Sequence, residues 1–255
     1  MRTVLITGMS GGIGKAIAQI LKDSENLYLV WGGDRKYLNV NDEKSIDNRI
    51  KKIIKGNIKG IDILINCAGY GLAGALEETT LEQAKANMET NFWGTVRVCK
   101  AVIPIMRKQY GGTIINISSS SGIKGHECSS IYCASKFAIE GFSESLWWEL
   151  KPFGIRVKVI ELPGTKTRFA RNLDYVGSMP EYKKVMDGMK DYFASPNAHK
   201  YLLNPEDVAK VVFEAIEEGS DRFRYQVGTA VRAAKKKWKD PIYIHQPTFW
   251  EKVMP

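Results

Sequence analysis

Tyr132 and Lys136 stand four residues apart in Tyr132-Cys133-Ala134-Ser135-Lys136, inside a helical pattern. That spacing puts a phenol and an ammonium on one helix face, within reach of the same small molecule. A phenol titrates near pH ~10, and a nearby positive charge favours its phenolate. A Tyr tuned in this way exchanges a proton with an alcohol or a carbonyl close to neutral pH. Ser119 lies thirteen positions upstream, after the strand-like run 112–118, and adds a hydroxyl suited to an oxygen on which charge develops.

A second chemical feature occupies the start of the chain. The β-branched run 2–7 is followed at once by Gly8-Met9-Ser10-Gly11-Gly12-Ile13-Gly14, and a helical pattern begins with Ile13, Ile17, Ile20 and Leu21 on one side. Strand, glycine turn and helix in that order form a dinucleotide site: glycines let the backbone approach a pyrophosphate, and the helix N-terminus attracts it.

These residues need a scaffold, and the pattern of the chain supplies one. Apolar strand-like runs recur at 3–7, 27–31, 61–65, 112–118, 155–161 and 223–227. Helical patterns fall between most of them, at about 13–22, 43–55, 80–108, 131–151 and 205–218. Such alternation implies a parallel sheet covered on both faces. Right-handed crossovers then wind it doubly, with ligands at the carboxyl ends of the strands. Gly8, Asn66 and Ser119 each fall at such an end. The 255 residues suit a single domain, so the expected fold is a Rossmann-type α/β domain over residues 1–255.

The ordered set Thr7-Gly8-Met9-Ser10-Gly11-Gly12-Ile13-Gly14, Asn66-Cys67-Ala68-Gly69, Asn91, Ser119, Tyr132 and Lys136 resembles the short-chain dehydrogenase/reductase family. The run 132–146 is especially similar to its hydroxysteroid and retinol dehydrogenase branch. Arg224-Tyr225-Gln226-Val227-Gly228 resembles its last strand, so the likeness spans residues 2 to about 228. It implies an NAD(P)-dependent oxidoreductase that moves a hydride between a nicotinamide and an alcohol or ketone. By the same resemblance Tyr132 is the general acid/base, and Lys136 lowers its pKa and bonds the nicotinamide ribose. Ser119 holds the substrate oxygen, with Ser118 the alternative register. Asn91 holds a water that links Lys136 to solvent, or alternatively bonds backbone at a helix kink. Gly8, Ser10, Gly11, Gly12, Ile13 and Gly14 bind the cofactor, with Asn66, Ala68 and Gly69 lining it. Pro163, Gly164, Thr165 and Thr167 resemble the motif that clasps the carboxamide.

One region departs from the family pattern. Residues 27–31 read as the second strand and 37–40 resemble the third, yet only 32–36 separate them. Parallel neighbours need a connection of about a dozen residues, so the shortened link leaves the third strand absent, displaced or paired in another direction. The cofactor choice turns on the same loop. An acidic residue at the end of strand two marks NAD, and basic residues there mark NADP. Gly32 occupies the usual acidic position, followed by Asp34, Arg35 and Lys36; Asp34 points to NAD, whereas Arg35 with Lys36 leans the expectation toward NADP.

Between Phe169 and Tyr201 no strand signal appears, but Met179, Tyr182, Val185, Met186, Met189, Tyr192 and Phe193 form one apolar stripe. Placed after the Pro-Gly motif, it suggests a substrate lid over about 163–204 that suits an apolar alcohol or ketone; ordinary core packing is the alternative. Phe92, Trp93, Val96, Phe142, Trp147 and Trp148 give two helices more apolar surface than one face requires, which predicts a homodimer or homotetramer. The net charge of +9 comes from short clusters such as Lys51, Lys52 and Lys55. No nucleic-acid motif accompanies them, so a solvated face is the reading and nucleic acid is not an expected partner. Four cysteines and three histidines without ligand spacing predict reduced thiols and no metal. His126 reads as a solvent-facing loop residue. With no run approaching ~18 apolar residues and a strand at the very start, the expectation is a cytoplasmic protein without a membrane span. A non-catalytic NAD(P)-binding sensor or scaffold is the main rival, and an extended-fold lyase or epimerase the second. Retention of Ser119, Tyr132, Lys136 and Asn91 speaks against the first, and the short chain against the other.

Overall fold

The computed structural model describes residues 1–25, 27–56, 60–169, 173–177, 179–194 and 202–228. Six parallel strands form the main sheet: β1 (Arg2–Thr7), β2 (Tyr28–Gly32), β3 (Ile63–Asn66), β5 (Gly112–Ile117), β6 (Ile155–Glu161) and β8 (Arg224–Gln226), in the order β2-β1-β3-β5-β6-β8. The residues of β1, β2, β3 and β5 are mostly apolar because both faces of the sheet are covered. Val4, Ile6, Ile63, Ile65, Ile115 and Ile117 face one layer, formed by α1 (Gly12–Lys22) and α7 (Pro205–Glu217). Leu5, Leu64, Ile114 and Val157 face the other, formed by α2 (Glu43–Lys55), α4 (Gly94–Lys108) and α5 (Ser130–Leu150).

The helix expected over 80–108 is three pieces in series: α3 (Leu81–Met88), a π-helical turn (Glu89–Trp93) and α4. A Thr80–Gln83 capping box starts it. Asn91 sits in the π turn, the kind of irregularity that recurs at functional sites.

Residues 37–40 form no strand, and β2 is the edge of the sheet. Four residues cannot carry the chain back to a parallel register. Instead Asp34 O accepts the N–H groups of Tyr37 and Leu38, turning the chain directly toward α2. Leu38 and Val40 are still buried, packed in the layer with Ile46, Ile50 and Ile53 of α2. The shortened connection therefore keeps the core contribution of a third strand and loses its pairing.

The segment expected to hold no strand contains a short one. β7 (Asp174–Tyr175) pairs with β4 (Leu72–Ala73) beside α6 (Pro180–Ala194). Within α6, Met186 is buried while Tyr182, Val185 and Met189 are half-buried, so this part of the stripe faces the body of the protein, whereas Met179 ahead of the helix is exposed. The side chains of Tyr192 and Phe193, residue Tyr201 and the tail 229–255 lie outside the described residues.

Candidate active site

The carboxyl ends of β1, β3, β5 and β6 open onto two adjoining cavities. One of about 370 Å³ is bounded by the glycine turn, residues 38–41, Ala68 and Thr90. The other, about 730 Å³, is bounded by Ser119, Tyr132, Lys136, residues 163–165 and α6. Ile13, Cys67, Gly69, Tyr70, Thr167 and Phe169 line both, so the two make one cleft. A further hollow of about 610 Å³ lies around Arg2, Asp62 and Arg156 at the amino ends of the strands, away from every motif residue.

The glycine turn is bare because it has to be. Gly8 has φ +64°, and a Cβ there would come 2.8 Å from Ala68 Cα. At Gly14 a Cβ would lie 2.4 Å from Gly8 O, and at Gly12 2.6 Å from Thr167 Cγ2. Side chains are thus excluded from the floor of the smaller cavity, which leaves backbone N–H groups at the start of α1. That floor fits a dinucleotide pyrophosphate. Thr7 braces the turn: its Oγ1 accepts from Cys67 N at 3.0 Å and Ala68 N at 3.1 Å, tying the ends of β1 and β3 together.

Ser119, Tyr132 and Lys136 meet on one wall of the larger cavity. Ser119 caps a 3₁₀ turn over Ser120–Gly122, and its Oγ accepts from Ser121 N at 3.1 Å. Its hydroxyl stands close enough to the Tyr132 phenol to favour the ionised form. The Tyr132 ring lies against Phe169, centroids 5.7 Å apart. Lys136 Nζ donates to Ile117 O at 3.0 Å and is 6.0 Å from the Tyr132 ring centroid. Burial draws the ammonium down to about 8, with Cys67 and Glu140 opposing. The phenol moves the other way from the expectation. Burial pushes Tyr132 up, and Ser119 offsets only part of that. Loss of water outweighs an ammonium that spends its hydrogen bond on a backbone carbonyl.

Two of the sequence candidates stand behind the cleft and do not line it. Asn66 Nδ2 donates to Asn116 Oδ1 at 2.8 Å, and Asn116 Nδ2 to Ser143 Oγ at 2.8 Å, a buried tie among β3, β5 and α5. Asn66 thus faces the sheet and does not reach the cofactor cavity, which Ala68 and Gly69 do line. Asn91 clasps the backbone of Tyr70: Oδ1 accepts from Tyr70 N and Nδ2 donates to Tyr70 O, both at 2.9 Å. It also bonds Asn87 and Ser135, the helix-kink reading of this residue. The clasp is close to the site: a Cβ on Gly69 would sit 2.9 Å from Asn91 Oδ1 and 4.0 Å from Lys136 Nζ.

Ser10, Gly11, Gly12 and Ile13 line the smaller cavity, Pro163, Gly164 and Thr165 the larger, and Thr167 both. Arg35 lines the smaller cavity, whereas Asp34 Oδ1 accepts from Lys36 N at 2.9 Å within its own turn. His126 is exposed and still borders the larger cavity. Sequence reasoning missed Tyr70, Arg168 and Phe169. Arg168, which donates to Ser10 O at 3.0 Å, reaches the nucleotide floor from the far end of the chain. No periodic signal marks any of the three.

The short chain dehydrogenase family model matches residues 35–175. The chain is 34% identical to a 3-ketodihydrosphingosine reductase of Bacteroides thetaiotaomicron, over 92% of each chain. It is 32% identical to human retinol dehydrogenase 8, over 88% of this chain and 81% of that one. The solved structure of ElxO with NADP bound is 26% identical, with a TM-score of 0.74 over 91% of this chain and 99% of that one.

Proposed function

The chain belongs to the short-chain dehydrogenase family and is an NAD(P)-dependent oxidoreductase acting on CH–OH groups; from that premise we propose that it reduces an apolar ketone with NADPH, Tyr132 being the proton donor. The observation that carries this reading is one cleft in which Ser119, Tyr132 and Lys136 share a wall while Phe169, Leu173, Val185 and Met189 supply apolar surface.

When bound, the nicotinamide supplies the hydride at the substrate carbon. Tyr132 O–H donates its proton to the substrate oxygen as negative charge builds there, and the Ser119 hydroxyl donates a second hydrogen bond to that oxygen. An ordinary phenol is protonated at neutral pH, and burial, which pushes Tyr132 up, leaves it in that proton-donating form. The glycine turn would hold the pyrophosphate, Lys136 the nicotinamide ribose, and Asn91 keeps the Tyr70 backbone in place between the two halves of the cleft.

Two local features support NADP. A Cβ at Gly32 would lie 2.6 Å from Ile6 O and 2.7 Å from Met9 Sδ, so no acidic side chain fits where NAD enzymes place one. Arg35 borders the cavity, and Asp34 is occupied by its own turn. An apolar substrate is supported by the cleft lining and by relatives named for a sphingoid ketone and for retinol. The lid belongs to this reading as the segment of about 163–204. A homodimer or homotetramer also belongs to it: Trp93 and Trp148 are 48% and 38% exposed, with Phe92 and Phe142 edge to face between their helices. Among the described residues no helix is long and apolar enough to cross a membrane.

Fluorescence titration with NADPH and NADH side by side tests the cofactor, with tighter NADPH binding expected; equal or tighter NADH binding refutes the assignment. Tyr132→Phe is expected to bind cofactor normally while turnover of an apolar ketone collapses. Undiminished turnover refutes the role of Tyr132.

A further inference from the structure

The reaction described above makes no use of a buried cluster of charge behind Lys136. Glu140 follows Lys136 by one turn of α5, as Lys136 follows Tyr132, so the three side chains share one face. Glu140 is 7% exposed, and Glu161 at the end of β6 is fully buried. A single guanidinium serves both. Arg224 Nε lies 3.3 Å from Glu140 Oε2 and 3.3 Å from Glu161 Oε1, while its terminal nitrogen meets Glu144 at 2.5 Å. Gln226 Nε2 donates to Glu161 Oε2 at 2.7 Å. Ser118 borders the Glu140 carboxyl closely enough to favour its ionised form, but Ser118 Oγ and Glu140 Oε1 stop short of hydrogen-bond geometry. Glu140 is therefore a buried acid with only part of a cation to itself.

Lys136 is likewise short of partners. Its neighbours are Tyr132 and Glu140 on its own helix, Cys67 after β3, the Ile117 carbonyl of β5, and Asn91 in the π turn. Burial pushes the Cys67 thiol up to about 11, so it is neutral at pH 7 to 9, as is the Tyr132 phenol. Among these neighbours, Glu140 is the one able to carry a negative charge in that range.

We propose that Glu140 is a positioning residue that acts through Lys136, its buried carboxylate keeping the proton on an ammonium that the dry site would otherwise shed. Burial, reinforced by Glu161 and opposed by Ser118 and Arg224, pushes Glu140 up to about 7. Below that pH it is neutral and Lys136 needs no help. Above it the carboxylate forms, and its charge arrives over the interval in which the ammonium, drawn down to about 8, is at risk. Cβ atoms one helical turn apart lie about 5–6 Å from each other, and two unit charges at about that separation, at an effective dielectric of about 20 to 40, move each other's titration by about one to two pH units.

The inference rests on the catalytic reading only for its consequence; the coupling itself is measurable in the ligand-free protein. The test follows the Lys136 Cε signal in ¹³C-lysine-labelled protein, assigned by its loss in Lys136→Met. Wild type is expected to show a main step near pH 8 and a smaller inflection near pH 7. Glu140→Gln is expected to erase the inflection and lower the main step by about one to two pH units. The alkaline limb of kcat/KM should move with it, a loss of about tenfold or more above pH 9, and Glu140→Asp should restore both. A Glu140→Gln protein that melts earlier with an unmoved Lys136 titration overturns the proposal and leaves a structural tie. If that variant does not fold, wild type decides: a single step without an inflection near pH 7 overturns it. An intact coupling in a protein without ketone turnover would instead defeat the catalytic reading and leave this one standing.

Discussion

Lys136→Met should make the ligand-free protein more stable at pH 7 while abolishing turnover. The ammonium is 8% exposed, and burial lowers its pKa from 10.5 to about 8. At about 1.4 kcal/mol per pH unit, holding that charge inside costs the folded state about 3 kcal/mol at any pH below 8. The sign follows from the direction: a depressed folded pKa means the folded state binds the proton more weakly than the unfolded chain. Stability therefore rises as pH climbs from about 8 toward 10.5. Methionine has a similar length and no charge to dehydrate, but it abandons Ile117 O, which now accepts from Nζ at 3.0 Å. An orphaned buried carbonyl costs about 1–3 kcal/mol. The balance at pH 7 is a gain of up to about 2 kcal/mol, or up to about 8 °C in Tm for a chain of this size. By about pH 9.5 the relieved cost has shrunk to about 1 kcal/mol, and the difference should be near zero or reversed. Thermal melts of both proteins at pH 7.0 and 9.5 measure it. A variant less stable than wild type at pH 7, or a difference that ignores pH, would refute the view that this site is held together against the solvation of its own lysine.

Three further outcomes follow from the same geometry. Gly14→Ala places a Cβ 2.4 Å from Gly8 O and 2.9 Å from Met9 Cα, both backbone atoms; loss of cofactor binding and a lower melting point are expected by titration and calorimetry, and normal affinity would contradict the turn as described. Asn91→Ala removes the acceptor of Tyr70 N and the donor to Tyr70 O inside a buried corner, so urea unfolding should show a loss of about 2–4 kcal/mol, whereas a change under 1 kcal/mol would contradict the clasp. Arg35→Ser should weaken NADPH by about tenfold or more and leave NADH within about twofold; parallel losses for both would mean that Arg35 serves the loop and not the 2′-phosphate.

The fold was legible because its signal is local and repeated. Alternating apolar runs and helical faces report which residues must be buried, and the parallel order of the sheet follows once both faces are covered. The missing third strand was legible too, as a contradiction: residues 37–40 have a strand's composition, and 32–36 are too few to bring them into register. Their apolar side chains went to the core anyway, since Leu38 and Val40 are buried whether or not their backbone pairs.

The chemistry of the site was legible in position and misread in sign. Spacing along α5 places Tyr132, Lys136 and Glu140 on one face, because helical geometry depends on residue number alone. What each group does with a proton depends on how much water reaches it, and that is decided by residues far away in the chain. Phe169 packs against the Tyr132 ring, and the π turn brings Asn91 beside Lys136. None of these contacts has a period that a sequence displays. An ammonium near a phenol lowers its pKa in water; in a dry cleft both groups lose solvation, and each retreats toward its neutral form. A buried phenol that keeps its proton is the form the proposed reduction would use. Oxidation would ask this pocket to stabilise a phenolate, and on the proposal above Lys136, whose Nζ is 6.0 Å from the Tyr132 ring centroid, draws on a carboxylate a turn farther along the helix.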